Sequence, residues 1–326
     1  QEEHDANIAQ RQARHGYVLS VAAAIFLPLG FLTGLFGVNV AGMPGVDHPW
    51  AFTILCLGMA GLAPNSGLAI LGFFVSPATV GIYYVAVQVA SLPQKLKTSF
   101  EPILGPVITK NLKTKNYEAI AKQICQVGFW IVAMQAGIAL ALALPGEAVM
   151  GLLGPDFVSG TGALSILLVA EVVAALAVVS ESALIYIARM RNLMISLFAI
   201  GLQAALTVGF MLAINAYDLP ELWRAPAAAL ALAIALAMSS IAKSVLLGRI
   251  LGETVNNFRM GLFYATIPAA GVGWLATQLP EWLELVVGIP AILLTYGAII
   301  WFLGFREDDR VLFRRNLGQD GETPAS

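Results

Sequence analysis

Two glutamates inside one apolar run are the residues of this sequence best placed to do chemistry. Glu171 and Glu181 fall in Ala163 to Ala188, a run otherwise made of Ala, Val, Leu, Ile, Ser and Tyr. Ionisable groups at membrane depth are expensive and face protein or water rather than lipid. By helical rise Glu171 lies about 6 Å and Glu181 about 9 Å from the midpoint of the run. Their spacing turns them roughly 80° apart around a helix, so they can border one cavity without facing each other. That suits a proton or cation site, or acceptors for sugar hydroxyls. The structural alternative is that Glu181 snorkels or bonds to Ser180 or Ser182.

Other polar groups recur at membrane depth. Gln88, Gln126, Gln135 and Gln203 place amides on three further apolar runs, where they serve a polyhydroxylated ligand or interhelical packing equally well. Lys95, Lys97 and Lys243 could draw acidic or pyrophosphate-linked groups. Their position near the ends of runs equally fits side chains that snorkel and fix topology.

Several chemistries lack their residues. There is no G-x-x-x-x-G-K-[ST] phosphate loop, so ATP is not the direct energy source, and no other cofactor signature is present. His4, His15 and His48 assemble neither a zinc set with Cys56 and Cys125 nor a hydrolytic triad. No basic and aromatic patch points to nucleic acid. The sequence therefore reads as a non-enzyme.

The elements that must position these residues are transmembrane helices. The chain is 58% hydrophobic and only 12% charged, against about 25% charged in a soluble domain. A crossing takes about 20 apolar residues. Eight runs qualify: Tyr17 to Phe36, Pro77 to Pro106, Ala119 to Leu144, Ala163 to Ala188, Leu193 to Ala216, Ala225 to Leu247, Gly261 to Leu279 and Leu283 to Phe305. The fold class expected is all-α, a polytopic transmembrane bundle with these eight spans and one broken or re-entrant segment at 50–75.

That segment carries the breaker cluster Pro64-Asn65-Ser66-Gly67. If it turns back, every Lys and Arg except Arg224 falls on the cytoplasmic side, with both termini inside. If it crosses, either the amino terminus or the rest of the chain is inverted. A kinked but ordinary spanning helix is the competing reading, since neighbours can satisfy the freed backbone groups.

The run Ala22 to Gly45, AAAIFLPLGFLTGLFGVNVAGMPG, followed by Asp47-His48-Pro49-Trp50-Ala51-Phe52, resembles the membrane portion of CorA-type divalent-cation channels, above all their ZntB zinc-transporting branch. The resemblance implies a long pore-lining helix in a pentamer, ending at the outer mouth in a Gly-Met-Asn turn matched here by Gly37, Val38 and Asn39. Val38 departs from the Met. In such an oligomer Asn39 would present a ring of amide carbonyls to the hydration shell of a dication, which dehydrates reluctantly. Without the flanking match, Gly37-Val38-Asn39 reads as a helix C-cap.

From Ser76 onward the sequence is similar to another family. Ser76-Pro77-Ala78-Thr79-Val80-Gly81-Ile82-Tyr83, Ala90-Ser91-Leu92-Pro93 to Ile103-Leu104-Gly105-Pro106, Leu153-Gly154-Pro155-Asp156-Phe157 and Asp308-Asp309-Arg310-Val311-Leu312 resemble the carboxy-terminal half of polysaccharide flippases. They belong to the multidrug/oligosaccharidyl-lipid/polysaccharide exporter superfamily.

The expected organisation is a channel-like part at 1–62, a flippase-like bundle at 63–305 and a cytoplasmic tail at 306–326. The leading expectation for function is ion-gradient-driven translocation of lipid-linked oligosaccharide across a bacterial inner membrane, by a complete, incomplete or fused relative. The cavity would be lined by Glu171, Glu181, Gln88, Gln126, Gln203 and Lys243. The alternative is a homo-oligomeric divalent-cation channel or transporter with appended helices, its ion met at Asn39. The lipid bilayer is a partner in both.

Overall fold

The structure, a computed structural model, describes residues 66–94, 108, 111–112, 114–306 and 309. The expected first span, the Gly37-Val38-Asn39 turn, the 62/63 boundary and the tail beyond 309 lie outside the described residues. So does the amino-terminal half of the 50–75 segment. Among the described residues every regular element is a helix and there is no strand.

The longer helices are α1 (Pro77–Ala90), α2 (Tyr117–Ala143), α3 (Thr161–Ile187), α4 (Arg189–Ala216), α5 (Arg224–Leu251), α6 (Met260–Ala276) and α7 (Glu281–Gly304). Local chemistry sets their ends. Ser76 caps α1 by accepting from Thr79 N at 3.3 Å, with Pro77 supplying the fixed φ of a first helical turn. Asn116 caps α2 through Ala119 N at 3.1 Å. Gly252, at φ 71°, closes α5 in the left-handed conformation that costs other residues energy. In α7, Pro290 has no N–H to donate, and the turn before it, Glu284–Gly288, widens to a π-helix.

Among the described residues five helices are long and apolar enough to cross a membrane: Tyr117–Ala143, Pro155–Ile187, Arg189–Ala216, Glu221–Leu251 and Glu281–Gly304. Eight spans are not shown: Tyr17 to Phe36 lies outside the described residues, and two further expected runs hold shorter described helices. Met260–Ala276 has 17 residues, and Pro77–Ala90 has 14. The latter stops because Ser91 Oγ turns back onto Gln88 O at 2.7 Å and Pro93 cannot extend the helical hydrogen bonding. The described part of the 50–75 segment is a single short helix, Ser66–Leu71, followed by a turn back at Phe73 to Val75.

Helices α2 and α3 form the middle of the packing, with 61% and 56% of their apolar windows buried, whereas α4 and α7 bury 22% each and present the rest outward. Helix α5 lies along both α3 and α4, α1 lies on α3, and α6 and α7 pair with each other and with α2. The apolar interior has two parts. One gathers Phe129, Ile124, Val179, Leu184, Leu247, Leu262 and Tyr296; the other gathers Tyr83, Met150, Leu164, Leu168, Met211 and Ala228.

Polar clamps close the two ends of α5. Arg224 donates to Phe74 O at 2.5 Å and Asn215 Oδ1 at 3.1 Å. Thus the one basic residue that charge distribution leaves on the outer side is held by the fold. Past the far end of α5, Arg259 grips the fully buried Asp309 and donates to Gly304 O at 2.8 Å, with its guanidinium 4.0 Å above the Phe129 ring.

Candidate functional site: a polar cavity between four helices

The two apolar parts leave an interval on α3 between Leu168 and Ala175, and another on α5 between Ala229 and Leu247. Glu171 falls in the first. Ser239, Ser240 and Lys243 fall in the second, where the one-turn spacing of Ser239 and Lys243 aligns them on one face of α5. Where these intervals meet α2 and the end of α1, the chain encloses a cavity of about 460 Å³. Ser91, Gln94, Gln135, Glu171, Glu181 and Lys243 line it, and Ala174, Ala175, Ala177, Val178 and Leu236 supply its apolar wall.

The groups in the wall are tied to one another. Lys243 Nζ lies 3.1 Å from Glu181 Oε1, and the Lys243 side chain is 7% exposed against 35% for Glu181. Lys243 therefore points into the bundle instead of snorkelling to its edge. Glu181 takes this ammonium rather than a serine hydroxyl: Ser182 donates to Val178 O, and Ser180 Oγ is buried with no hydrogen-bond partner among the described residues. Gln94 Nε2 donates to Glu171 Oε1 at 2.6 Å, and Gln135 Nε2 donates to Pro93 O at 3.2 Å. These two bonds fasten the turn after α1 to α3 and α2. Gln135 Oε1, on a side chain 1% exposed, has no partner among the described residues.

Of the residues singled out from sequence, Glu171, Glu181 and Lys243 thus meet at one cavity, together with Gln135. Gln88 is exposed on α1, Gln203 is buried on α4, and Gln126 bonds to Asp309 beyond the last helix; none of these three lines the cavity. Gln94 and the Ser239-Ser240 pair are the functional groups missed. The polar positions 239, 240 and 243 within an otherwise apolar helix were the available signal, whereas Gln94 becomes legible only once α1 is seen to end at Ser91.

Chemically the cavity offers carboxylates, amides, hydroxyls and one ammonium. Among the described residues no three His, Cys, Asp or Glu side chains gather as metal ligands. Such a wall can receive a polar or hydrated guest but does not chelate a bare transition metal.

Fold and site together define a helical membrane protein with a polar compartment among its helices. The comparisons with known proteins concern the other end of the chain. Residues 1–70 match the family described as CorA-like Mg2+ transporter protein. The divalent cation transporter CmaX of Pseudomonas aeruginosa is 43% identical over 63 residues, 19% of this chain and 19% of that protein. The zinc transport protein ZntB of Vibrio parahaemolyticus is 42% identical over 59 residues, 18% and 19%. That of Photorhabdus laumondii is 49% identical over 55 residues, 17% of each. The chain spans about a fifth of the length of the curated relatives it matches. No solved structure matches it.

These matches correct the leading functional expectation. The similarity found is to metal-cation transporters, and none of it supports a polysaccharide flippase or a lipid-linked sugar substrate. Of the four glutamines expected to serve a polyhydroxylated ligand, Gln135 lines the cavity, whereas Gln88, Gln126 and Gln203 lie at three separate places outside it.

Proposed function

We propose that the chain serves in transport of divalent cations across a bacterial cytoplasmic membrane, acting as a homo-oligomer whose pore mouth is Gly37-Val38-Asn39. The observation that carries this reading is the match of residues 1–70 to the CorA-like Mg2+ transporter family, with relatives named for divalent-cation and zinc transport. The symmetric ring needed to hold a hydrated dication is made by several copies of Asn39, each supplying one amide carbonyl. Residues 1–62 form the pore-bearing part, 63–305 an appended helical bundle, and 306–326 a cytoplasmic tail. In the bundle, the wall of Glu171, Glu181 and Lys243 is a second polar compartment, whose oxygens meet a hydrated cation through its water shell. Both termini lie on the cytoplasmic side.

The test is metal uptake into proteoliposomes containing the full chain and a Zn2+- or Mg2+-sensitive dye. The wild type is expected to take up metal, and Asn39→Ala to lose most of that flux. Equal uptake by the wild type and N39A, or none by the wild type, overturns the proposal. Light scattering of the purified protein checks the oligomer, and a strictly monomeric particle rules out the ring.

A further inference from the structure

The junction between α3 and α4 is a single residue, Ala188, with φ −146° and ψ 52°. Helix α4 then starts at Arg189 with no side-chain cap. Its first N–H groups therefore have no side-chain acceptor, and the positive end of its dipole falls at this junction. Beside the break lies an open hollow of about 470 Å³, lined by Ile187, Ala188, Arg189, Met190, Arg191 and Ile250. Two of the six are arginines and none is acidic. Neither arginine makes a salt bridge or side-chain hydrogen bond among the described residues, and both are exposed. Arg249, beside Ile250 in the last turn of α5, adds a third positive charge to this end of the bundle.

A second observation concerns the surface that leads away from the junction. Met190, Met194, Leu197 and Phe198 repeat at helical spacing down α4 and are 67%, 59%, 52% and 62% exposed. An apolar ridge thus begins where the arginines end. Cations and free N–H groups at one point, with bare hydrocarbon running from it, match a molecule with a phosphate at one end and acyl chains at the other. A soluble anion would leave the ridge unused. Arginine's planar fork suits phosphate oxygens, and basic pockets between spanning helices are known to hold acidic headgroups.

We propose that the α3–α4 junction is a binding site for an anionic phospholipid, its phosphate taken by Arg189, Arg191 and the α4 amino terminus, and its chains lying along Met190, Met194, Leu197 and Phe198. This site shares no lining residue with the polar cavity and none with the residues proposed for the pore mouth. It survives Asn39→Ala, so its test and the uptake test fail independently.

The experiment uses the purified full chain in detergent, delipidated and then titrated with phosphatidylglycerol, phosphatidylcholine or inorganic phosphate, read by thermal unfolding and native mass spectrometry. Phosphatidylglycerol is expected to raise the unfolding temperature and to remain bound, about tenfold more tightly than phosphatidylcholine. That preference should shrink as salt is raised. Inorganic phosphate is expected to give no comparable shift. R189Q/R191Q should lose the preference, while R189K/R191K keeps part of it. Equal affinity for the two lipids, an unchanged preference in R189Q/R191Q, or full replacement by inorganic phosphate overturns the proposal. If R189Q/R191Q does not fold, the salt dependence and the phosphate arm decide it in the wild type.

Discussion

Arg259 holds Asp309 through two parallel hydrogen bonds, Nη1 to Oδ2 at 2.6 Å and Nη2 to Oδ1 at 3.1 Å, so that the residue just beyond α7 is locked to the residue that opens α6. Burial would raise the Asp309 carboxyl. The Arg259 hydrogen bonds, the Arg306 backbone N–H, the Arg259 charge and Gln126 outweigh it and hold the carboxyl below the usual carboxylate range. A carboxylate depressed in the folded state adds stability that is complete above its unfolded value of about 3.9 and is lost as pH falls through the folded value. Acid unfolding should therefore steepen below about pH 4, and Asp309→Asn should flatten that limb. Arg259→Met, which strands a buried carboxylate, should cost about 3–5 kcal/mol at pH 7. Both are read by thermal unfolding in detergent across pH.

The Lys243–Glu181 pair makes a prediction through a double-mutant comparison. Glu181→Gln leaves the ammonium of Lys243 buried without its partner and should destabilise by about 2–3 kcal/mol, less than a fully dry pair because Glu181 is a third exposed. E181Q/K243M removes both charges and should recover most of that loss. A double variant as unstable as E181Q would show that the pair is not what the single change breaks.

Two glycines with opposite surroundings should respond with opposite sign. A Cβ at Gly128 would stand 2.5 Å from Asn257 Cγ, on a buried side chain whose Nδ2 donates to Leu176 O at 2.7 Å. Gly128→Ala should cost about 1–3 kcal/mol by displacing Asn257. Gly201 on α4 has nothing within 4 Å of its would-be Cβ. Gly201→Ala should be neutral or stabilising by up to about 1 kcal/mol, from helix propensity alone. Unfolding temperatures of the two variants settle the contrast.

Ser180 is fully buried, and its Oγ has no partner among the described residues. Removing an unsatisfied hydroxyl relieves a desolvation penalty, so Ser180→Ala should leave stability unchanged or raise it by about 1 kcal/mol. A loss of 2 kcal/mol or more in urea or thermal unfolding would mean that the hydroxyl has a bound water or another use.

Much of the helical scaffold is legible in the sequence, because a 20-residue apolar run is a strong signal for one helix. Five of the expected runs coincide with the five long helices to within a few residues at most ends. Pro77 to Pro106 misleads because hydropathy does not register that Ser91 and Pro93 stop a helix. Glu171, Glu181 and Lys243 stand out as charges in apolar runs and do meet at one cavity. Their pairing was not legible, since it depends on how α5 is rotated against α3. The same holds for Arg259 and Asp309, 50 residues apart, whose contact exists only after α6 and α7 have paired. Likeness to a family guided unevenly: the CorA-type resemblance at the start of the chain agrees with the match of residues 1–70. The stretch from Ser76 suggested a function that the comparisons overturn, and only the first 70 residues point to a transporter family.

The break in the apolar interior at the cavity also divides the cooperativity of the bundle. Tyr83, Leu164, Leu168 and Met211 gather in one part and Phe129, Val179, Leu247 and Tyr296 in the other; the level between them is bridged by Val172 and Ile289, which pack against both, by a few hydrogen bonds and by one ion pair. Backbone amides on α3 should then exchange with solvent in two blocks, one on either side of Glu171, with the fastest-exchanging amides between them. Along a helix with no proline from Thr161 to Ile187, the weak joint is set by side-chain polarity rather than by any interruption of the backbone.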